Sequence, residues 1–206
     1  MKKTLLLAAT AALVSMPSLA DQAFLSLELG GGKFDTSGNS SDTKQVVDNL
    51  DDAGFISLKG GTYINDNVRV YGYIQTNGES TYELISLFET DKAELTSYQL
   101  GAGADYLYDV TDKFYLVAGG SLGYYNSKLK LSNRDRLLNT YDELSDTNSG
   151  AVLGVNTGLG YHFTEQFSME LGYRYSYYHD NSHEFGSAKF EFESSNTGYL
   201  NASYSF

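Results

Sequence analysis

With no cysteine and three histidines, the chain has a short catalogue of reactive side chains. It has no thiol nucleophile, no disulfide and no thiolate metal ligand. Acyl transfer by a serine requires a histidine base and an acidic residue to orient it, all within hydrogen-bond reach. His179, Asp180, Ser182, His183 and Glu184 supply those residue types within one short segment. The segment is polar throughout, and ordinary loop composition accounts for the grouping without chemistry. His162 stands beside Thr164 and Glu165, and its phase in the preceding alternation turns it inward as a core or rim side chain. Asp48 to Asp52 is rich in carboxylates but lacks calcium-loop spacing, so only diffuse cation attraction follows. Gly30-Gly31-Gly32-Lys33 lacks the Ser/Thr and the helix that a phosphate loop needs. No catalytic, cofactor-binding or metal-binding residue is therefore assigned, and no cofactor is expected.

The elements that would position side chains are strands. Met1-Lys2-Lys3, the apolar run Leu5 to Val14 and Ser18-Leu19-Ala20 have the order of a cleavable signal peptide, which assigns residues 1–20 to export and starts the mature chain at Asp21. Beyond it no apolar run approaches the roughly 20 residues of a membrane helix. Strict alternation takes over instead: Leu25, Leu27 and Leu29 on one face; Ile56, Leu58 and Ile64; Val68, Val70 and Ile74; Tyr98, Leu100, Ala102, Ala104, Tyr106 and Tyr108. It continues through Phe114 to Tyr124, Ala151 to Phe163, Phe167 to Tyr177 and Gly198 to Phe206. Tight turns at Asn65–Asn67, Asp109–Asp112 and Thr164–Gln166 alternate with four long polar connections, at about 34–53, 77–94, 126–149 and 179–196. Tyr and Phe gather at the ends of the apolar faces, where interfacial girdles sit. A β-sandwich would show shorter strands and no such alternation of connection lengths. The expected fold is all-β: an eight-stranded antiparallel up-and-down transmembrane β-barrel over residues 21–206, its short turns in the periplasm and its long connections outside.

On the polar face of these strands stand Glu28, Lys59, Arg69, Asp105, Glu170 and Arg174, three acids and three bases. A buried charge is costly without a partner, so a balanced set predicts paired plugs in an interior that eight strands leave only wide enough for side chains. A narrow or gated channel would require those pairs to rearrange, and it stays open as the alternative.

The run Met169-Glu170-Leu171-Gly172-Tyr173-Arg174-Tyr175 and the closing GYLNASYSF, behind an exported N-terminus, carry a family resemblance. Together they resemble the small eight-stranded outer-membrane barrels, namely OmpA-like transmembrane domains, OmpX/Ail-like proteins and opacity-type porin-like proteins. The resemblance spans the mature chain as architecture, with the last two strands as its distinctive motif. It implies that Tyr204 and Phe206 belong to the signal read by the barrel-assembly machinery. It also implies that adhesion, host or environmental contact and envelope integrity are the functions to expect. The peptidoglycan-binding domain of OmpA is expected to be missing. Some barrels of this size modify lipid A, but no lipid-facing His-x-Ser is present, and the chain is expected not to be an enzyme.

Charge narrows the partners. Removing Lys2 and Lys3 leaves twelve basic against 26 acidic residues, a net of −14, which speaks against a nucleic-acid partner, and none is expected. The first, second and fourth connections are acidic, whereas the third carries Lys128, Lys130, Arg134 and Arg136. Those four are the expected contact with phosphates of lipopolysaccharide, and the leucines interleaved with them would suit a protruding hairpin, a short helix or an adhesive edge. Expected partners are thus outer-membrane lipid and lipopolysaccharide, the assembly machinery, and a host or surface ligand, with the chain monomeric.

Overall fold

Period-two alternation drives ten stretches of the chain into strands that join edge to edge. The computed structural model describes residues 22–78, 80–85, 89–135 and 140–206. The leader assigned to residues 1–20, and Arg136, lie outside the described residues. In chain order the elements are β1 (Ala23–Gly38), α1 (Ser41–Asn49), β2 (Phe55–Asn65), β3 (Val68–Asn77), β4 (Ser80–Ile85) and β5 (Glu89–Asp109). There follow β6 (Phe114–Asp135), β7 (Thr140–His162), β8 (Phe167–Tyr178), β9 (Ser182–Phe185) and β10 (Ala188–Ser205). Every pairing is antiparallel, in the order β1-β2-β3-β5-β6-β7-β8-β10. β10 then pairs with β1 from Phe24↔Ser205 to Gly38↔Phe190, which closes an eight-stave ring. The terminal residue takes part: the Phe206 amide donates to the Ala23 carbonyl at 2.9 Å. β4 and β9 continue the staves of β3 and β8 after a short interruption, paired to β5 and β10. Side chains cap the tight turns; Thr111 Oγ1 accepts from the Phe114 amide at 3.0 Å, and Thr164 Oγ1 from the Phe167 amide at 2.9 Å.

The ring has two chemically opposite halves. Near the short turns, Leu25, Leu27, Leu29, Leu58, Leu100, Leu116 and Leu171 point outward and are exposed, while Ser26, Glu28, Lys59 and Glu170 point inward and are buried. That is a barrel built for an apolar solvent. Towards the long-hairpin end the preference inverts, on β6 without a change of phase and on β10 through a bulge between Ser194 and Phe192. Along β6 the outward row passes from Leu122 and Tyr124 to Asn126, Lys128 and Lys130, and the inward row from Gly119 and Ser121 to Tyr125 and Leu129. On β10 the bulge moves the inward row from Tyr199, Thr197 and Ser195 to Phe192 and Phe190, flanked by Lys189, Glu191 and Glu193. This half is a water-facing dome around an apolar core of Phe34, Val47, Leu50, Leu95, Tyr125, Leu129, Tyr178, Phe190 and Phe192.

The inversion lengthens the strands beyond the ten or so residues expected. β5, β6 and β7 run 21, 22 and 23 residues, so most of the segments assigned to polar connections at 77–94 and 126–149 continue the ladder as sheet. The first connection holds a helix that alternation cannot announce. Its N-cap is Ser40, whose Oγ accepts from the Thr43 amide at 3.2 Å while Thr43 Oγ1 accepts from the Ser40 amide at 2.9 Å. Such reciprocal capping satisfies two orphan donors at the helix start. Val47 and Leu50 drop from the helix into the dome core and are fully buried. No described helix is long and apolar enough to cross a membrane, and the crossing falls to the strands.

Candidate functional site

Inside the lower half, strand phase brings the six predicted charged residues into two linked groups. Arg69 on β3 donates to Asp105 Oδ2 on β5 through Nε and Nη2, at 2.9 and 2.8 Å. It also forks onto Glu170 of β8 through Nη1 and Nη2, at 2.6 and 2.9 Å. Tyr115 and Asn201 donate to the same Glu170 carboxylate at 2.9 and 3.1 Å, and Asn156 donates to Asp105 at 3.1 Å. In the second group Glu28 accepts from Lys59 and, at 2.5 Å, from Arg174. Aromatic faces cover the cations: Lys59 lies 5.1 Å from the Tyr71 ring centre, Arg174 5.2 Å from that of Tyr199, and Arg69 5.4 Å from that of Phe24. Glycine makes room for these rings. A Cβ on Gly103 would come within 2.5 Å of Tyr71, and one on Gly172 within 2.3 Å of Tyr199. The gap left beside Lys59, Gln75, Gln99 and Arg174 is about 10 Å³, at the threshold for a single water. Multidentate pairing of this kind satisfies buried charge.

Where β7 and β8 part company, above Val152↔Tyr178, the dome is closed by side chains instead of a backbone ladder. Asn148 of β7 donates to the carbonyls of Asp180 and Ser182 at 2.7 and 2.6 Å. Next to it, His183 Nδ1 lies 3.2 Å from Asp146 Oδ2, and its Nε2 lies 3.1 Å from Ser127 Oγ. The carboxylate fixes the neutral ring's proton on Nδ1, so Nε2 accepts from the Ser127 hydroxyl. Burial pushes the His183 imidazole below its ordinary pKa, against the opposing pull of Asp146.

The order Ser127–His183–Asp146 is that of an acyl-transfer triad, but it is not the grouping expected from sequence. In β9 adjacent residues point to opposite sides, so His183 turns in while Ser182 and Glu184 turn away from it, and His179 pairs with Asp180 in the open at 3.2 Å. Access decides what the arrangement can do. His183 is 0% exposed and Ser127 1%, so no substrate reaches the hydroxyl, and the array acts as a clasp between β6–β7 and β9–β10. Sequence separations of 37 and 56 residues hid these partners; the signal within reach was the inward phase of Ser127 beside Leu129. His162 stacks at the rim on Tyr115, with ring centres 4.5 Å apart.

Of the basic residues of the third connection, Lys128 and Lys130 lie on the outer face of β6. Lys128 is exposed on the outer face four residues beyond Tyr124, whereas Lys130 is tied to Glu143 at 3.0 Å and Glu94 at 3.7 Å. Arg134 lies on the backbone of β6 near its tip. No described group of His, Asp or Glu is arranged to hold a metal ion. Tyr204 and Phe206 stack at 5.2 Å on the outward face of the closing strand, and both are exposed.

Among solved structures, Neisserial surface protein A superposes with a TM-score of 0.56 at 20% identity, covering 89% of this chain and 97% of that one. OprG, an outer membrane protein of Pseudomonas aeruginosa, gives 0.57 at 10% identity, with 91% and 97% covered. Ail of Yersinia pestis gives 0.48 at 17% identity, with 90% and 99% covered. The likenesses to the first two concern the fold alone. Comparison with curated protein sequences returns no match. The family model for the outer membrane protein beta-barrel domain matches residues 6–206, and the chain belongs to that family of the bacterial outer membrane.

Proposed function

We propose that the protein is a non-enzymatic, monomeric surface barrel whose long-hairpin end faces outward, presents a folded surface for contact with ligands or host, and adds to envelope integrity. One observation carries this reading: the long-hairpin end is a dome with its own apolar core, a capped helix and a side-chain clasp, set on an interior filled by ion pairs. A chain built to conduct would not spend Val47, Leu50, Leu129 and Phe192 on sealing its mouth. Lys128, projecting just beyond Tyr124 at the outer edge of the apolar band, is suited to the phosphates of lipopolysaccharide; Lys130 and Arg134 follow it along β6, and Arg136 completes the basic set in sequence. Tyr204 and Phe206 serve as the signal to the assembly machinery. A narrow gated channel is the second reading, and steady conductance in planar bilayers would favour it.

The orientation is tested on intact cells with a membrane-impermeant maleimide. Ser145→Cys, exposed on upper β7, is expected to label, and Thr111→Cys, in a short turn, is not. Labelling at Thr111→Cys alone would turn the barrel around and remove the surface role.

A further inference from the structure

Above the apolar seal, cross-strand register sets Tyr82, Ala93, Leu131 and Leu144 side by side on the inner face of β4–β7. With Val46 of α1 they line a groove of about 240 Å³. That space is well above the volume a single water needs and admits a small organic body. Leu144 stands in the inward phase yet is 61% exposed, and is therefore open to a ligand. Gln45 Nε2 donates to the Tyr82 hydroxyl at 3.2 Å and ties the ring to the helix.

One row further out the same register aligns Asp91, Asn133 and Asp142. Asn133 Nδ2 donates to Asp91 Oδ1 at 2.6 Å, which holds that carboxylate at the lip. Asp142 is exposed, and its carboxylate makes no hydrogen bond or ion pair with another described residue. Lys92, also on the rim, is drawn to Glu94. The groove therefore combines an apolar floor with an anionic lip. Apolar contact supplies affinity for a hydrocarbon or aromatic body, while two carboxylates favour a cationic head and disfavour an anionic one. The Tyr82 ring adds a face that attracts an ammonium group.

We propose that this groove binds small organic cations, with an alkyl or aryl body against Tyr82, Ala93, Leu131 and Leu144 and a protonated amine at Asp91 and Asp142. The inference supplies a ligand class for the surface-contact reading and rests on it for its biological meaning; the binding itself holds whichever way the barrel faces.

The test is equilibrium dialysis of hexylammonium, hexanoate and methylammonium against the folded full chain in lipid nanodiscs, with binding to empty nanodiscs subtracted. Hexylammonium is expected to bind at least about fivefold more tightly than either of the others, since only it matches both floor and lip. Asp142→Asn and Leu144→Ser are each expected to weaken it about threefold or more, and because both side chains are exposed the folded protein's gel mobility stays that of the parent. Equal binding of hexanoate, no retention above empty nanodiscs, or full affinity in both variants would overturn the proposal. Failure here with Ser145→Cys labelling intact would sink the groove and leave the surface role. Success here with only Thr111→Cys labelled would do the reverse.

Discussion

Four donor atoms converge on the Glu170 carboxylate: two from Arg69, one from Tyr115 and one from Asn201. Arg69 in turn is the one guanidinium shared with Asp105, so its loss strands two buried carboxylates at once. Breaking a buried pair from one side costs about 3–5 kcal/mol because the remaining charge has neither water nor partner. Arg69→Leu should therefore lower unfolding stability in lipid by about that amount in urea titrations, and Arg69→Leu combined with Glu170→Gln should recover part of the loss. A single substitution without measurable effect would mean that water reaches the cluster. These six charges could be read from sequence because strand phase alone sets which side chains share the interior. The clasp could not, because period two says which way His183 points but not that Ser127 and Asp146 lie opposite. It makes a prediction with a definite sign. Burial depresses the imidazole's pKa in the closed hairpin, and opening returns it towards about 6.5. The open form therefore gains its proton first on acidification. The contribution to closure is complete above about pH 6.5 and is lost as pH falls from there through the depressed value. Asp146 and the exposed Glu184 are the carboxylates that face or flank the ring and limit the size of the effect. Amide exchange of β9 and upper β10, corrected for intrinsic rates, should accelerate between pH 7 and pH 5, and His183→Gln should flatten that dependence.

At the scale of elements, the lower strands and the tight turns follow from local pattern, while the dome strands depend on tertiary context. The run Lys128-Leu129-Lys130-Leu131 alternates as regularly as any lower strand, and Phe190-Glu191-Phe192-Glu193 does the same. Their apolar members occupy the inward phase, opposite to the leucines below, and charge at every second position makes such segments resemble loops. Helix α1 was still less legible. It is a nine-residue helix whose stability comes from Val47 and Leu50 packing on strands far along the chain, since a segment this short is marginal alone. Leu50→Ala should remove about 2–5 kcal/mol of local stability at a fully buried position. The loss should show as rapid amide exchange over residues 41–50 with the lower ring unchanged. Uniform loosening of the whole ring would mean that dome and barrel are one cooperative unit.

The whole molecule is a single closed ring that changes solvent along its length. Below the outer aromatic residues the exterior is apolar and the interior polar; above them the exterior is polar and the interior apolar. The ladder of β6 with β7 carries both halves without a break, from Phe114↔Tyr161 to Asp135↔Thr140, whereas that of β7 with β8 stops at Val152↔Tyr178 and the clasp takes over. This arrangement follows from matching each face to its surroundings: hydrocarbon outside the lower staves, water outside the dome, and side chains inside both. It also explains how an acidic, strand-rich chain can seat in a membrane and still hold a folded surface clear of it. The most direct test is a nitroxide scan along β6, one label at a time from 115 to 131, read with molecular oxygen and a water-soluble nickel complex. Labels at 116, 118, 120 and 122 should be relaxed by oxygen, those at 126, 128 and 130 by nickel, and those at 117, 119, 125, 127 and 129 by neither. Nickel access to the odd-numbered positions, or oxygen access continuing unchanged past Tyr124, would contradict the account.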